Sequence, residues 1–109
     1  MSEFEISRTQ NGDGVGLKLV GELDLATTPE LSKAMLDPSL PETQLHLDLS
    51  ELTFVDSCGI HAILTLARSQ DGRGPLVLLD PSAPVSRLFE LLGLDEHAGI
   101  EVRRSVSPV

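Results

Sequence analysis

Three adjacent residues in the middle of the chain carry side chains that can do covalent chemistry. Asp56, Ser57 and Cys58 stand together in the stretch LTFVDSCGI, which covers residues 52 to 60. A hydroxyl or thiol can act as a nucleophile when a neighbouring base takes its proton. A hydroxyl can also accept a group that another enzyme transfers to it. These two uses predict different surroundings for Ser57.

Histidine is the usual base for a serine or cysteine nucleophile, and the chain has three histidines. They are scattered at positions 46, 61 and 97. His61 lies one helical turn beyond Ser57, with no acidic residue placed to orient its ring. The spacing of the histidines also fits no metal site. We therefore predict that His61 is a solvated surface residue, and that the protein has no catalytic residue, metal or cofactor and is not an enzyme.

The stretch around Ser57 marks the change from a strand to a helix. A helix that starts at Ser57 leaves amide groups unpaired in its first turn. The Ser57 hydroxyl can accept a hydrogen bond from one of them, which contributes about 0.5 to 2 kcal/mol. Gly59 is less expected there, because glycine inside a helix costs about 1 kcal/mol relative to alanine. It indicates that something approaches the backbone closely.

The periodicity of this helix predicts two different faces. The predicted core face consists of Ile60, Ile63, Leu64 and Ala67. The opposite face carries small side chains only: Cys58, Ala62, Thr65 and Ser69. An exposed helix usually carries long charged side chains, so a strip of small residues would allow another protein to pack closely. We predict that this strip is a docking surface.

The first half of the chain predicts a hairpin followed by a helix. Residues 3 to 8 and 15 to 20 are strand-like runs, and the Asn-Gly pair at 11 to 12 favours a tight antiparallel turn between them. Thr27 or Thr28 then caps a short helix. Its predicted core face is Leu31, Ala34 and Met35, and it ends at Asp37-Pro38.

The second half alternates between strands and helices. The segment 44 to 50 predicts a third strand with His46 and Asp48 on its polar face, and 75 to 80 predicts a buried fourth strand. Ser82 caps a third helix that Gly93 ends. The predicted core face of this helix is Val85, Leu88, Phe89 and Leu92, and residues 99 to 103 add a last strand. The fold class is therefore α/β, with a mixed, mostly parallel β-sheet, an N-terminal antiparallel hairpin and covering helices.

Length and charge limit the domain organisation and the partners. A chain of 109 residues with 40% apolar content predicts one domain over residues 1–109, with a core at about 4–103 and a short tail at 104–109. A net charge of -9 excludes nucleic acid as the expected partner, since phosphate binding needs clustered Lys and Arg. The longest apolar-rich run, 60 to 67, is too short to span a membrane. The single cysteine suits a reducing compartment, so the expected location is the cytoplasm.

Three segments in register resemble the STAS family, and most closely its bacterial anti-sigma factor antagonists. They are GELD (21 to 24), LDLSELTFVDSCGIHAIL (47 to 64) and PSAPVSRLFELLGL (81 to 94). In that family the serine after the aspartate is phosphorylated by an anti-sigma factor that is itself an ATP-dependent serine kinase. The matching residue is Ser57. The resemblance implies that the unphosphorylated form binds the anti-sigma factor and frees a sigma factor, that phosphorylation abolishes binding, and that a phosphatase resets the site.

The resemblance also implies which residues surround the modified serine. GELD places Asp24 at the rim of the site. The predicted partner-binding residues are Asp24, Asp56, Cys58, Gly59, Ala62 and Thr65. Two positions depart from the family pattern, because Cys58 stands where antagonists often have Ser or Thr and His61 stands where many have Gly.

Two alternatives stay open from the sequence. Cys58 is either a tolerated small residue or a redox sensor, since a thiol at the start of a helix is reactive. The chain is either a switching antagonist or a non-switching STAS interaction module, such as a scaffold subunit of a lipid-transport or stressosome-like assembly.

Overall fold

A computed structural model describes residues 4–11, 14–37, 44–70 and 72–104. Its elements, in chain order, are β1 (Glu5–Asn11), β2 (Gly14–Leu23), α1 (Thr28–Met35), β3 (His46–Val55), α2 (Ser57–Ser69), β4 (Leu76–Leu79), α3 (Ala83–Leu92), a short 3-10 helix (Leu94–Glu96) and β5 (Ile100–Arg103). The predicted hairpin turn at Gly12, the end of the first helix at Pro38 and the tail from residue 105 onward lie outside the described residues.

The strands form one mixed sheet in the order β1-β2-β3-β4-β5. β1 and β2 pair antiparallel, and each later pair of neighbours is parallel. This arrangement confirms the predicted α/β fold with its N-terminal hairpin. None of the helices in the described part of the chain has the length and apolar character needed to cross a membrane.

One apolar core joins the sheet to its helices. Alternate residues of the strands point to one side of the sheet, and there they meet buried side chains of the helices. Among the largest fully buried members are Leu19, Leu47, Leu49, Leu52, Leu31, Ile63 and Phe89. In α2 the buried set is Ile60, Ile63, Leu66 and Ala67, whereas Leu64 is only partly buried. The predicted core face is confirmed at Ile60, Ile63 and Ala67; Leu64 packs against the core while remaining partly buried, and the buried Leu66 was not predicted.

His46 departs from the predicted polar face of β3. It is only 2% exposed and pairs in register with Val77, which is fully buried. Both residues lie on the opposite side of their strands from Leu47 and Leu78. The centre of the sheet is covered on both sides at this point, as parallel strands usually are. The His46 Nδ1 atom has no hydrogen-bond partner among the residues that the structure describes.

α3 also differs from its prediction at both ends. Ser82 occupies the N-cap position, but its hydroxyl donates to the Leu52 carbonyl at 2.6 Å and caps no helix amide. At the other end Leu92 is 53% exposed and outside the core. Gly93 adopts a left-handed conformation with φ of 71°, which turns the chain so that Leu94 packs into the core in place of Leu92.

Candidate functional site

The site lies where β2 and β3 end side by side. Leu23 and Val55 are partners in the parallel register, and each is the last residue of its strand. Two shifts in the pairing of β2 with β3 bring these ends level. As a result, the turn after β2, which comprises residues 24–27, lies next to the start of α2.

Asp56 is the residue that caps α2. Its backbone is extended, and its Oδ1 accepts a hydrogen bond from the Gly59 amide at 2.9 Å. Its Oδ2 accepts a second bond, at 3.2 Å, from the amide of Leu25 in the turn after β2. From the sequence, capping by the Ser57 hydroxyl was one of two possible roles for that residue. In the structure Ser57 is the first residue of the helix, and the preceding carboxylate takes the capping role.

The turn after β2 is closed by its own side chains. Asp24 Oδ1 accepts hydrogen bonds from the amides of Ala26, at 3.0 Å, and Thr27, at 3.1 Å. The Thr27 hydroxyl donates to the Glu22 carbonyl and accepts from the Asp24 amide, both at 2.8 Å. Thr27 is 5% exposed and stands at the N-cap position of α1 without capping it. The Asp24 carboxylate therefore holds the shape of the rim next to Ser57.

Gly59 is buried, and its lack of a side chain has a reason within this chain. A Cβ atom built at this position would lie 2.6 Å from the Leu23 carbonyl oxygen and 2.8 Å from Val55 Cγ1. The sequence indicated that something approaches the backbone of Gly59 closely. In the structure it is the end of β2 that does so.

A groove of about 550 Å³ runs between α1 and α2. From α2 it brings together four of the predicted residues: Ser57, Cys58, Ala62 and Thr65. Ser57 is exposed, Cys58 and Ala62 are partly buried, and Thr65 is exposed. Ser69, the last residue of the predicted strip, is outside the groove, and its hydroxyl donates to the Leu66 carbonyl at 2.7 Å.

The sequence reading missed the other wall of the groove. It consists of Leu25, Thr28, Leu31 and Ser32, from the turn and from α1. Leu25 is 71% exposed although it is apolar. Thr28 and Ser32 are small residues four positions apart on one helix face, and this spacing is the signal that could have indicated the wall.

The groove contains few charges. His61 is exposed and is the only basic residue among those lining it. The amides of Ser57 and Cys58 have no acceptor among the residues that the structure describes. Those residues also contain no cluster of three His, Cys, Asp or Glu that could hold a metal ion. The arrangement suits the reception of an anion at Ser57 and of a protein surface along the groove.

The family model described as "Mlab, STAS domain" matches residues 6–103. The chain belongs to the STAS domain family. An anti-sigma-B factor antagonist of Staphylococcus epidermidis is 29% identical to this STAS domain over 95 residues, which are 85% of this chain and 88% of the relative. An anti-sigma-B factor antagonist of Staphylococcus aureus is 30% identical over 82 residues, which are 73% of this chain and 76% of the relative. The chain is thus a member of the anti-sigma factor antagonist family at modest identity, a family of regulatory proteins and not of enzymes.

Two solved structures share the fold of this STAS domain. An anti-sigma factor antagonist from Mycobacterium paratuberculosis has a TM-score of 0.67 and 24% identity, over 91% of this chain and 86% of that one. The Bacillus cell fate determinant SpoIIAA in its phosphorylated form has a TM-score of 0.60 and 23% identity, over 95% of this chain and 92% of that one.

Proposed function

We propose that this STAS domain is a cytoplasmic anti-sigma factor antagonist that is switched by phosphorylation of Ser57. In its unphosphorylated form it binds an anti-sigma factor and thereby frees a sigma factor. The observation that carries the proposal is the exposed Ser57 hydroxyl at the mouth of the α1–α2 groove. A kinase can reach this hydroxyl without unfolding the domain.

In this proposal the anti-sigma factor is itself a serine kinase. It phosphorylates Ser57 of this chain, the residue next to the surface that it binds. The Ser57 oxygen bonds to the γ-phosphorus of ATP, the bond from that phosphorus to the bridging oxygen breaks, and ADP leaves. The kinase supplies the nucleotide, the magnesium and the base that takes the hydroxyl proton. This chain contributes only the accepting oxygen, and a phosphatase returns the site to its free state.

The start of α2 can hold the phosphate without loss of the fold. The unpaired amides of Ser57 and Cys58 and the positive end of the helix dipole both favour an anion there. Capping does not depend on the modified hydroxyl, because Asp56 already provides it. The modification should therefore change the surface of the domain and leave its packing intact.

The same phosphate opposes a docked partner. It adds about -1.5 to -2 charges at neutral pH. Asp56 precedes the modified residue, and Asp24 lies in the adjoining turn. Like charges at the mouth of a groove, together with the bulk of the phosphate, should drive a bound protein away.

Each predicted partner-binding residue has a separate part in this proposal. Cys58, Ala62 and Thr65 line the groove and receive the partner. Asp24 and Asp56 fix the rim, and Gly59 allows the end of β2 to pack against α2. The small side chains keep the groove open.

Phosphorylation is tested by incubating the protein with ATP and the purified anti-sigma factor kinase of the same organism. We expect a mass gain of one phosphate that maps to Ser57 and is absent in Ser57→Ala. Ser69→Ala is the matched control, because Ser69 lies on the same helix outside the groove. Transfer to another residue, or transfer that persists in Ser57→Ala, would contradict the proposal.

Docking is tested by filling the groove. Ala62→Leu and Thr65→Leu should each weaken binding of the unphosphorylated protein to the anti-sigma factor at least tenfold, measured by calorimetry. Ser69→Leu adds similar bulk to the same helix and should leave binding unchanged. Equal affinities for all three variants would remove the groove as the docking surface.

A non-switching STAS interaction module is the second candidate. The matching family model names the domain and no phosphorylation, and the same groove could serve a permanent scaffold subunit in a lipid-transport or stressosome-like assembly. This candidate predicts no phosphoryl transfer to Ser57 and the same partner affinity for Ser57→Glu as for the unmodified protein. The kinase incubation separates the two functions.

A further inference from the structure

We propose that His61 is the residue that receives the phosphate carried by Ser57, through a charge-assisted hydrogen bond from its imidazolium ring. The inference rests on the proposed modification of Ser57 and concerns how the modified site is held. His61 is a positioning residue in this scheme, and it takes no part in the transfer of the phosphoryl group.

The geometry of α2 places the two side chains next to each other. Ser57 and His61 are four residues apart on one helix, and residues at this spacing have Cβ atoms about 5 to 6 Å apart. Side chains on a helix lean towards its N-terminus, so a histidine covers the turn that precedes it. Both residues are exposed, and both line the α1–α2 groove. The imidazole ring is therefore within reach of the hydroxyl that would carry the phosphate.

No other basic side chain competes for this role among the residues lining the groove. Lys33 and Arg8 line a separate depression beside β1 and β2, and Arg68 lines a third one with His97. The other lining residues from the turn and α1 are uncharged: Leu25, Thr28, Leu31 and Ser32. From α2, the only other titratable group in the groove is the Cys58 thiol.

The carboxylate nearest to the modified serine is already occupied. Both Asp56 oxygens accept backbone hydrogen bonds, from Gly59 and from Leu25. The Asp24 carboxylate is likewise bound within its own turn. Among the described residues, the ring of His61 forms no ion pair with either carboxylate or with any other acid. A phosphate on Ser57 would be its first anionic partner.

A phosphate drawn towards His61 lies over the first turn of α2, in the groove that Ser57 and His61 both line, whereas a phosphate bound only by the helix amides stays at the end of the helix. The pairing therefore determines where the added bulk sits. It places the phosphate in the space that a docked protein would use.

The test measures the ionisation of the phosphate itself. Phosphoserine is introduced at position 57 during translation at an amber codon, so the full chain is obtained without any kinase. The phosphorus NMR signal is then followed between about pH 4 and pH 9 in the otherwise unchanged protein, in His61→Gln and in His97→Gln. A free phosphoserine has its second pKa at about 6.

We expect the phosphate midpoint to lie about half to one pH unit higher in His61→Gln than in the otherwise unchanged protein, because a neighbouring cation favours the dianion. His97→Gln should not move it. His61→Lys, which stays charged over this range, should restore the low midpoint. Identical curves for the unchanged protein and His61→Gln, or a lysine variant that behaves like glutamine, would overturn the proposal.

This experiment is independent of the proposed switch. If no kinase modifies Ser57, the phosphorus titration still shows whether His61 binds a phosphate placed there. If the kinase modifies Ser57 but the titration is unaffected by His61, the switch stands and only the role of His61 fails.

Discussion

The Asp56 carboxylate connects the start of α2 to the turn after β2, because its Oδ2 accepts the Leu25 amide at 3.2 Å while its Oδ1 caps Gly59. One side chain therefore fixes two segments that are 31 positions apart in sequence. The position of Ser57 relative to the α1 wall of the groove depends on this connection.

Asp56→Ala should destabilise the fold by about 1 to 3 kcal/mol, because it removes the helix cap and leaves the Leu25 amide without its acceptor. Asp56→Asn is the matched variant. Its amide oxygen can still cap Gly59, but its NH₂ group cannot accept from Leu25. Urea unfolding gives the free energies, and hydrogen exchange separates the two bonds: Asn should speed exchange at Leu25 and not at Gly59. If Asp56→Asn changes the exchange rates of the Leu25 and Gly59 amides by the same factor, this assignment is contradicted.

Gly59→Ala should destabilise the protein although alanine is the better helix former. Helix propensity alone favours alanine by about 1 kcal/mol. The new Cβ would lie 2.6 Å from the Leu23 carbonyl oxygen, a backbone atom that can move only with β2. We expect a net loss of about 1 to 3 kcal/mol in the free energy of unfolding, as is usual for overpacking. A variant as stable as the parent would show that β2 and α2 separate easily.

Thr27→Val should cost about 1 to 3 kcal/mol in the free energy of unfolding, because the two side chains have the same shape and only the hydroxyl is lost. The Glu22 carbonyl and the Asp24 amide, both partly buried, would each lose a partner at 2.8 Å. Thr28→Val is the matched control, since Thr28 is partly exposed and its hydroxyl makes only a 3.5 Å contact with Leu25. Thermal or urea unfolding should show almost no change for the control. Similar losses in the two variants would refute the role given to the Thr27 hydroxyl.

Glu51→Gln should lower the pKa of Lys18 towards its ordinary value of 10.5. The Lys18 ammonium donates to the Glu51 carboxylate across β2 and β3, and this hydrogen bond, with the charge of Glu51, raises the pKa of Lys18. Because the pKa of Lys18 is raised in the folded protein, the ion pair is fully formed at pH values below the ordinary lysine pKa. It is lost when the pH rises through the pKa of Lys18 in the folded protein and the ammonium loses its proton. Because the pair is on the surface, overall stability should barely change.

The measurement for this pair is an NMR titration of the Lys18 side chain at alkaline pH. Asp48→Asn is the matched control, because the Asp48 charge contributes less to the raised pKa than Glu51 does. Asp48→Asn should therefore lower the titration midpoint of Lys18 by less than Glu51→Gln does. A larger effect at Asp48 than at Glu51 would show that the ion pair is not the main cause.

The sequence was sufficient to predict the strand-to-helix junction, because its signals are local. The change from period 2 to helical spacing after Val55 predicted α2, and the structure starts that helix at Ser57. The cap was harder to predict, since aspartate and serine are both good caps. What selects Asp56 is the amide of Leu25, which only the pairing of β2 with β3 brings near.

Features that depend on packing between distant elements were missed for the same reason. The α1 wall of the groove follows from how two helices lie together, and periodicity within either helix does not contain that information. The alternation of His46 with leucines predicted that it lies on a polar face of β3. In the structure it lies on the same side of the sheet as Val77 of the neighbouring strand, and both residues are buried there. Leu92 follows the helical period but lies at the end of α3, where Gly93 redirects the chain.

Leu25 gives the proposed docking event a thermodynamic signature of its own. In the free domain 71% of this side chain is in contact with water. A protein that covers the mouth of the groove must dehydrate it, and removal of apolar surface from water lowers the heat capacity. The association enthalpy should therefore become more favourable on warming, and truncating this one leucine should flatten that temperature dependence whether or not any phosphate is present.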